Sequence, residues 1–311
     1  MGKREKHVVT GGFGFTGRYI AAELLARGHD VSTLTNSPER KNSLEQTIPA
    51  HPFHFDDQEK LTEILRGTEV LYNTYWVRFN HKLFTHQDAV DNTLILFKAA
   101  AKAGVKRIVH VSITNPSIGS QLEYFQGKAV LEKALGDSGI SHAILRPAVI
   151  FGKEDILINN IAWLLRKMPI FPIFGYGSYK IRPIFVQDFA KLAVLEGQRQ
   201  QNVVIDAVGP ETYSYKELVE KIGDIIGVKK PLVSLSPGLA HWVGAIVGSI
   251  VRDVVVTKEE IKGLMADLLC TEGDSTGVTK LSGWARDHAQ ELGHCYMSEL
   301  GRRTDRKASY G

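Results

Sequence analysis

The sequence predicts a doubly wound α/β fold, and three observations predict it. Short runs rich in apolar and β-branched residues alternate with amphipathic runs of about 10 to 15 residues, the pattern of βαβ units and a parallel sheet. A glycine-rich turn joins the first such run to the first helix. The alternation loosens after Gly152, where prolines, glycines and then mostly helical segments take over. The expected architecture is a Rossmann-type parallel sheet over residues 1–152 and about 184–208. A smaller, mostly helical lobe is expected over 153–183 and about 209–311.

The first strand is His7-Val8-Val9, followed by Thr10-Gly11-Gly12-Phe13-Gly14-Phe15-Thr16-Gly17 and a helix from Arg18 to Arg27. The spacing of Gly11, Gly14 and Gly17 suits a dinucleotide. The first glycine permits a tight turn, the second lets backbone approach a pyrophosphate, and the third lets helix pack on strand. The helix N-terminus then faces the phosphates with unpaired N–H groups, and Phe13, Phe15 and Thr16 complete the turn as candidate cofactor contacts.

Strand two, Asp30 to Thr35, ends in Asn36-Ser37-Pro38. An acidic residue here would bind the ribose 2′-hydroxyl of NAD and repel the 2′-phosphate of NADP. Asn36 and Ser37 are neutral and Arg40 and Lys41 follow, so NADP(H) is expected in preference to NAD(H). A solvated, charged loop is the alternative for Arg40 and Lys41. Pro52 to Phe55 reads as strand three, with Asp56 a candidate for the adenine and Asp57 the cap of a helix from Gln58 to Leu65. Strand four, Glu69 to Thr74, runs into Tyr75 and Trp76 at the carboxyl edge, where ligands of open α/β sheets sit, so Thr74 and Tyr75 join the candidate cofactor set.

A helix from about Asp88 to Ala103 leads to strand five, Arg107 to Ser112, which continues as Ile113 and Thr114. Tyr124 and Lys128 follow at the head of a helix reaching about Ser138, and residues four apart share a helical face. A phenol with pKa near ~10 is a poor base, but a neighbouring ammonium favours the phenolate and can also hold a ribose. Strand six, Ser141 to Pro147, brings Pro147 to the same edge. Beyond it, helices are expected at Asp155 to Arg166, from about Asp188 to Glu196, at Tyr215 to Ile226, around Trp242 to Val251 and at Lys258 to Leu269. A seventh strand is expected at Val203 to Val208.

Composition excludes several classes. Against 38 basic residues stand 34 acidic ones, and a dispersed net charge of +4 does not describe a nucleic-acid binder. Two cysteines among 311 residues, with no secretory leader, predict a reducing cytoplasm and no disulfide framework. The apolar stretch from Leu232 to Val251 is interrupted by Ser234, Ser236, Pro237 and Gly238, so no transmembrane helix is expected; contact with a membrane surface stays open. No HExxH or paired-cysteine spacing predicts a metal, and no Gly-x-Ser-x-Gly elbow predicts a hydrolase.

With the glycine fingerprint, Tyr124 and Lys128, and Arg146-Pro147 before Phe151-Gly152 in order, the chain resembles the short-chain dehydrogenase/reductase superfamily in its extended or atypical branches. Within it the chain is most similar to the group of the NAD(P)H-binding accessory subunit of respiratory complex I and its prokaryotic nucleoside-diphosphate-sugar epimerase-like relatives. His110 to Ser112, Tyr124 to Lys133 and Phe151 to Asp155 carry that likeness. The resemblance implies bound NADP(H), Tyr124 as acid/base and Lys128 as ribose anchor. Asn92 matches a helix asparagine of extended members. It also implies a Ser or Thr at the position of Ile113; Thr114 or Ser112 would have to supply that hydroxyl. Tyr176, Tyr179 and Arg182 fall where the lobe of such proteins meets substrate, and Tyr176 and Arg182 are the candidate substrate residues.

The expected function is an NADP(H)-binding oxidoreductase or epimerase-like enzyme acting on a small molecule such as a sugar nucleotide or a quinone. The alternatives are a non-catalytic NADP(H)-binding protein that serves a protein partner or a homo-oligomer, and a quinone-related reductase at the membrane periphery.

Overall fold

The structure, a computed structural model, describes residues 5–41, 44 and 46–308. In chain order the first elements are β1 (Lys6–Thr10), α1 (Phe15–Ala26), β2 (Asp30–Leu34), β3 (Ala50–His51), α2 (Gln58–Leu65), β4 (Thr68–Asn73), α3 (His86–Ala103), β5 (Arg107–Val111), α4 (Glu123–Asp137) and β6 (Ser141–Pro147). There follow β7 (Ile150–Phe151), α5 (Leu157–Lys167), β8 (Phe171–Phe174), β9 (Lys180–Ile181), β10 (Ile184–Phe185), α6 (Val186–Gln198) and β11 (Val203–Ala207). The remainder is β12 (Tyr213–Ser214), α7 (Tyr215–Ile225), β13 (Leu232–Leu235), α8 (Pro237–Val251), α9 (Lys258–Met265), α10 (Leu281–Asp287) and α11 (Glu299–Thr304).

Contacts divide the chain into two units. The first comprises Met1–Pro147, Phe189–Asp206 and Arg306–Tyr310, and the second Ala148–Asp188 and Ala207–Asp305. The first is the expected Rossmann-type unit: a seven-stranded parallel sheet in the order β11-β6-β5-β4-β1-β2-β3. The order reverses between β1 and β4, and the crevice at such a switch point is where ligands of this architecture bind. Val8, Leu71 and Ile108 on one face and Val9, Tyr72 and Val109 on the other are wholly buried, so both faces of the sheet are covered.

Local chemistry sets these boundaries. The Asp57 carboxylate accepts the Lys60 N–H and starts α2. Thr85 and Asp88 form a reciprocal capping box that starts α3, and Gly104, at φ 73°, ends it. Strand three falls earlier than the sequence predicts, at 50–51 instead of 52–55, because Pro52 has no N–H for a ladder. Phe53 and Phe55 instead stack on each other at 4.8 Å and pack against Tyr75.

The second unit is mostly helical, as expected. Beside its helices it contains three two-stranded pairings, β7 with β10, β9 with β12 and β8 with β13. Because Ile150 and Phe151 pair with Ile184 and Phe185, residues 148–152 and 184–188 group with this unit. Its core gathers Phe151, Ile161, Phe171, Ile181, Leu218 and Trp284. Among the described residues no helix is long and apolar enough to cross a membrane.

Candidate functional site

The glycine turn is built by main chain at the end of β1. Gly11 takes φ 63°, the left-handed region that glycine adopts without strain, and donates its N–H to the Leu34 carbonyl at 2.7 Å. Gly14 N–H returns to the Gly11 carbonyl at 2.7 Å, which closes the turn. A Cβ on Gly17 would overlap the Gly11 carbonyl oxygen and lie 2.7 Å from its carbon, so only glycine lets α1 start this close to β1. No side chain caps α1 and no acidic residue occupies its first turn, which leaves its N–H groups and positive dipole end to an anion. These features fit the pyrophosphate of a dinucleotide.

Polar side chains pin the neighbouring strand ends. Thr74 donates its N–H to Thr10 Oγ1 at 2.7 Å and its hydroxyl to the Thr10 carbonyl. Thr10 Oγ1 donates to Asn73 Oδ1 at 3.2 Å, and Asn73 Nδ2 meets His110 Nδ1 at 3.0 Å. Burial holds the His110 imidazole well below its ordinary pKa, so it is neutral. Gly12 N–H donates to Thr33 Oγ1, which donates to the Val9 carbonyl, tying β2 to the turn. Of the flanking candidates, Phe13 is buried, while Phe15, at the head of α1, packs edge-on to Tyr19. Thr16 follows Phe15 in the first turn.

At the end of β2, Asn36 is exposed and Ser37 half-buried, and Ser37 N–H donates to Thr35 Oγ1. Arg40 is only 6% exposed and donates to the Ala308 carbonyl at 3.0 Å. It is therefore not the solvated loop charge that was one of its two readings. Asp57 is occupied as the α2 cap, and Asp56 beside it is exposed. Tyr75, packed on Phe53 and Phe55, accepts a hydrogen bond from Asn92 Nδ2 at 3.0 Å, so Asn92 orients an aromatic residue at the sheet edge.

Tyr124 is the second residue of α4, with Lys128 one turn on. The Tyr124 ring lies edge-on to Trp76 at 5.5 Å and to His86 at 5.6 Å, while Lys128 Nζ sits 4.3 Å over the Trp76 ring. Both side chains thus share one indole. Gly127 makes this possible, since a Cβ there would lie 3.0 Å from Trp76 Cη2 and 2.9 Å from Val90 Cγ2. Lys128 is buried and donates to the Val111 carbonyl at 2.7 Å. Burial pushes its pKa down to about 7 against the opposing pull of Glu132. At the end of β5, Ser112 is 3% exposed and its hydroxyl has no partner among the described residues. Ile113 is buried, and Thr114 is wholly buried with its N–H on the Pro147 carbonyl.

The two candidate substrate residues lie in the second unit. Tyr176 is 88% exposed. Arg182 donates to the carbonyls of Gly209, Thr271 and Gly273 at 2.9, 3.2 and 2.7 Å, so its guanidinium fastens three backbone segments. Tyr179 is buried against Tyr215 at 5.4 Å.

Sequence reasoning missed three features. Trp76 was read only as part of an aromatic pair, and its partner Gly127 lies 51 positions away. The 306–308 segment returns to the β2 loop, a contact no local pattern signals. Glu5, His7 and His29 bring potential metal-ligand atoms within 4.8 Å of one another where β1 begins, because the β1–β2 register sets Lys6 opposite Asp30. Burial and the neighbouring His29 push His7 down to about 4.

A parallel sheet with a glycine turn at its first strand end and an uncapped helix behind it defines a dinucleotide-binding protein of the Rossmann class. Residues 11–158 match the NAD(P)H-binding family. The mitochondrial NADH dehydrogenase [ubiquinone] 1 alpha subcomplex subunit 9 of Arabidopsis thaliana is 25% identical over 229 residues, 70% of this chain and 57% of that protein's length. A UDP-N-acetylglucosamine 4-epimerase from Methanobrevibacter ruminantium M1, solved with UDP-N-acetylmuramic acid, shares the fold with TM-score 0.67 at 20% identity over 93% of this chain and 98% of its own. The UDP-glucose 4-epimerase of Brucella ovis, solved with NAD, has TM-score 0.64 at 17% identity, covering 75% of this chain and 86% of its own. Residues 11–158 are thus similar to the NAD(P)H-binding family, and the chain shares the fold of these epimerases.

Proposed function

We propose that this chain is an NADP(H)-dependent oxidoreductase or epimerase-like enzyme acting on a carbinol or carbonyl of a small molecule, with Tyr124 as its acid/base. The observation that carries this reading is the pairing of Tyr124 and Lys128 on one helical face against Trp76, in a unit whose glycine turn fits a dinucleotide. When bound, the nicotinamide supplies hydride exchange. The chain's own groups do the rest. The first-turn amides of α1, from Phe15 to Gly17, bind the pyrophosphate, and Asn36, Ser37 and Arg40 meet the 2′-phosphate. Asp56 meets the adenine, with Thr74, Tyr75 and Pro147 along the nicotinamide half. Lys128, in its ammonium form, holds the ribose and favours the Tyr124 phenolate, and Tyr124 moves the proton at the substrate oxygen. Ser112, with its buried and unpartnered hydroxyl, orients that oxygen where Ile113 cannot. Sugar nucleotides head the substrate classes because solved neighbours of this fold hold them; quinones follow.

A second reading, nucleotide binding without turnover in the service of a protein partner, is favoured by Ile113 and by the name of the plant relative. Tyr124→Phe separates the two. On the enzyme reading the substitution lowers the rate about 10²-fold or more, the usual contribution of a general acid/base, while NADP(H) affinity changes less than threefold. A wild-type chain that binds NADP(H) but turns over no sugar nucleotide, quinone or enone supports the second reading.

A further inference from the structure

The loop after β2 supplies Asn36, Ser37 and Arg40 to the proposed 2′-phosphate subsite. We infer that the 306–308 segment is part of the same subsite, and that Arg306 and Lys307 are specificity determinants for a ribose 2′-phosphate; this rests on the NADP(H) reading above.

Four contacts fasten that segment to the β2 loop. Arg306 donates to the Asn36 carbonyl at 3.3 Å, and Lys41 N–H donates to the Lys307 carbonyl at 3.1 Å. Arg40 donates to the Ala308 carbonyl at 3.0 Å, and Lys307 Nζ pairs with Glu39 at 2.9 Å. Each of residues 306, 307 and 308 is bonded to the loop, so the segment is held along its length.

The position of each charge gives this docking a consequence. Asn36 stands just past the end of β2, where an acidic side chain would select against a 2′-phosphate, and here its carbonyl holds a guanidinium. An arginine presents five N–H donors in a planar fork, so one bond to a carbonyl leaves it able to meet a phosphate with others. Arg40 is turned by the same docking, because its guanidinium is buried with one edge on Ala308. The segment therefore adds two cations and orients a third. Arg40 and Lys41 of the loop and Arg306 and Lys307 docked on it bring four cations together, and among the described residues of the loop the carboxylate is that of Glu39. Arg306 and Lys307 are exposed, which suits a rim that attracts a dianion without the cost of burying charge. NAD(H), with a neutral hydroxyl at this carbon, would draw nothing from them.

The test is calorimetric titration of NADP⁺ and NAD⁺ into the wild type, Arg306→Ala/Lys307→Ala and a variant lacking residues 306–311, with thermal melts to confirm folding. The expected result is a loss of about tenfold or more in NADP⁺ affinity for both variants, a change under twofold for NAD⁺, and a shallower salt dependence for NADP⁺. Arg306→Lys, which keeps the charge and loses the fork, should fall between. If the wild type prefers NADP⁺ and the double variant keeps that preference, the inference about the segment fails alone. Equal losses for both nucleotides also overturn it, since they mark a merely structural strap. A wild type that does not prefer NADP⁺ overturns the underlying cofactor reading and this inference with it.

Discussion

In the first unit the candidate site is made largely of main chain: the Gly11 and Gly14 amides, the uncapped start of α1 and the close approach at Gly17. Charged side chains stand at its margins. The second unit uses its polar side chains for the opposite purpose. Arg166 holds the carbonyls of Ala289 and Leu292, and Arg182 those of Gly209, Thr271 and Gly273. Asp253 accepts the N–H groups of Glu299 and Leu300, and Asn160 exchanges two bonds with the backbone of Met297. A unit with a long parallel ladder satisfies its backbone within the sheet and can leave N–H groups over for a ligand. One whose strands are only two to four residues long must satisfy its backbone with side chains.

This contrast can be broken first at Gly17. Gly17→Val should abolish measurable dinucleotide binding, a loss of at least about 100-fold, because the new side chain collides with the Gly11 carbonyl that shapes the turn. Titration reads the loss, and retained affinity would mean that the turn is not the binding element. Asp155 is the corresponding test in the second unit. Its buried carboxylate accepts N–H bonds from Gly152, Ile158 and the Asn159 amide, while burial pushes its pKa up to about 7 against those bonds. Asp155→Ala should cost about 2 to 4 kcal/mol in stability, with cofactor affinity unchanged. A denaturant melt beside a titration checks both halves.

The smallest effect concerns Lys128. Its pKa in the folded protein is depressed to about 7, so below that pH the fold carries a buried ammonium, and between 7 and the unfolded value of 10.5 the unfolded chain binds the extra proton. Stability attributable to this group therefore rises with pH across that window. Lys128→Met should raise Tm by about 2 to 5 °C at pH 6, with the difference shrinking toward pH 10. A difference independent of pH would show that Lys128 is not desolvated.

What could be read from the sequence follows the same division. The glycine turn, α2 at Gln58–Leu65 and β6 at Ser141–Pro147 were legible because each is set by neighbours in sequence: a glycine spacing, the Asp57 cap, a short apolar run ending in proline. Strand three was misread because Phe53 and Phe55 have a strand's alternation, yet Pro52 and the stacking on Tyr75 take them out of the sheet. The wall that Trp76 provides for Tyr124 and Lys128 depends on Gly127, and the burial of Arg40 on Ala308, 268 positions away. The three small pairings of the second unit involve strands too short to leave a period.

The account stands most directly on a titration of the intact chain with NADP⁺, NADPH, NAD⁺ and NADH. It predicts one site per chain, with the phosphorylated nucleotides bound at least about tenfold more tightly than their counterparts. Equal affinity for NAD(H), or no binding of any of the four, would contradict it.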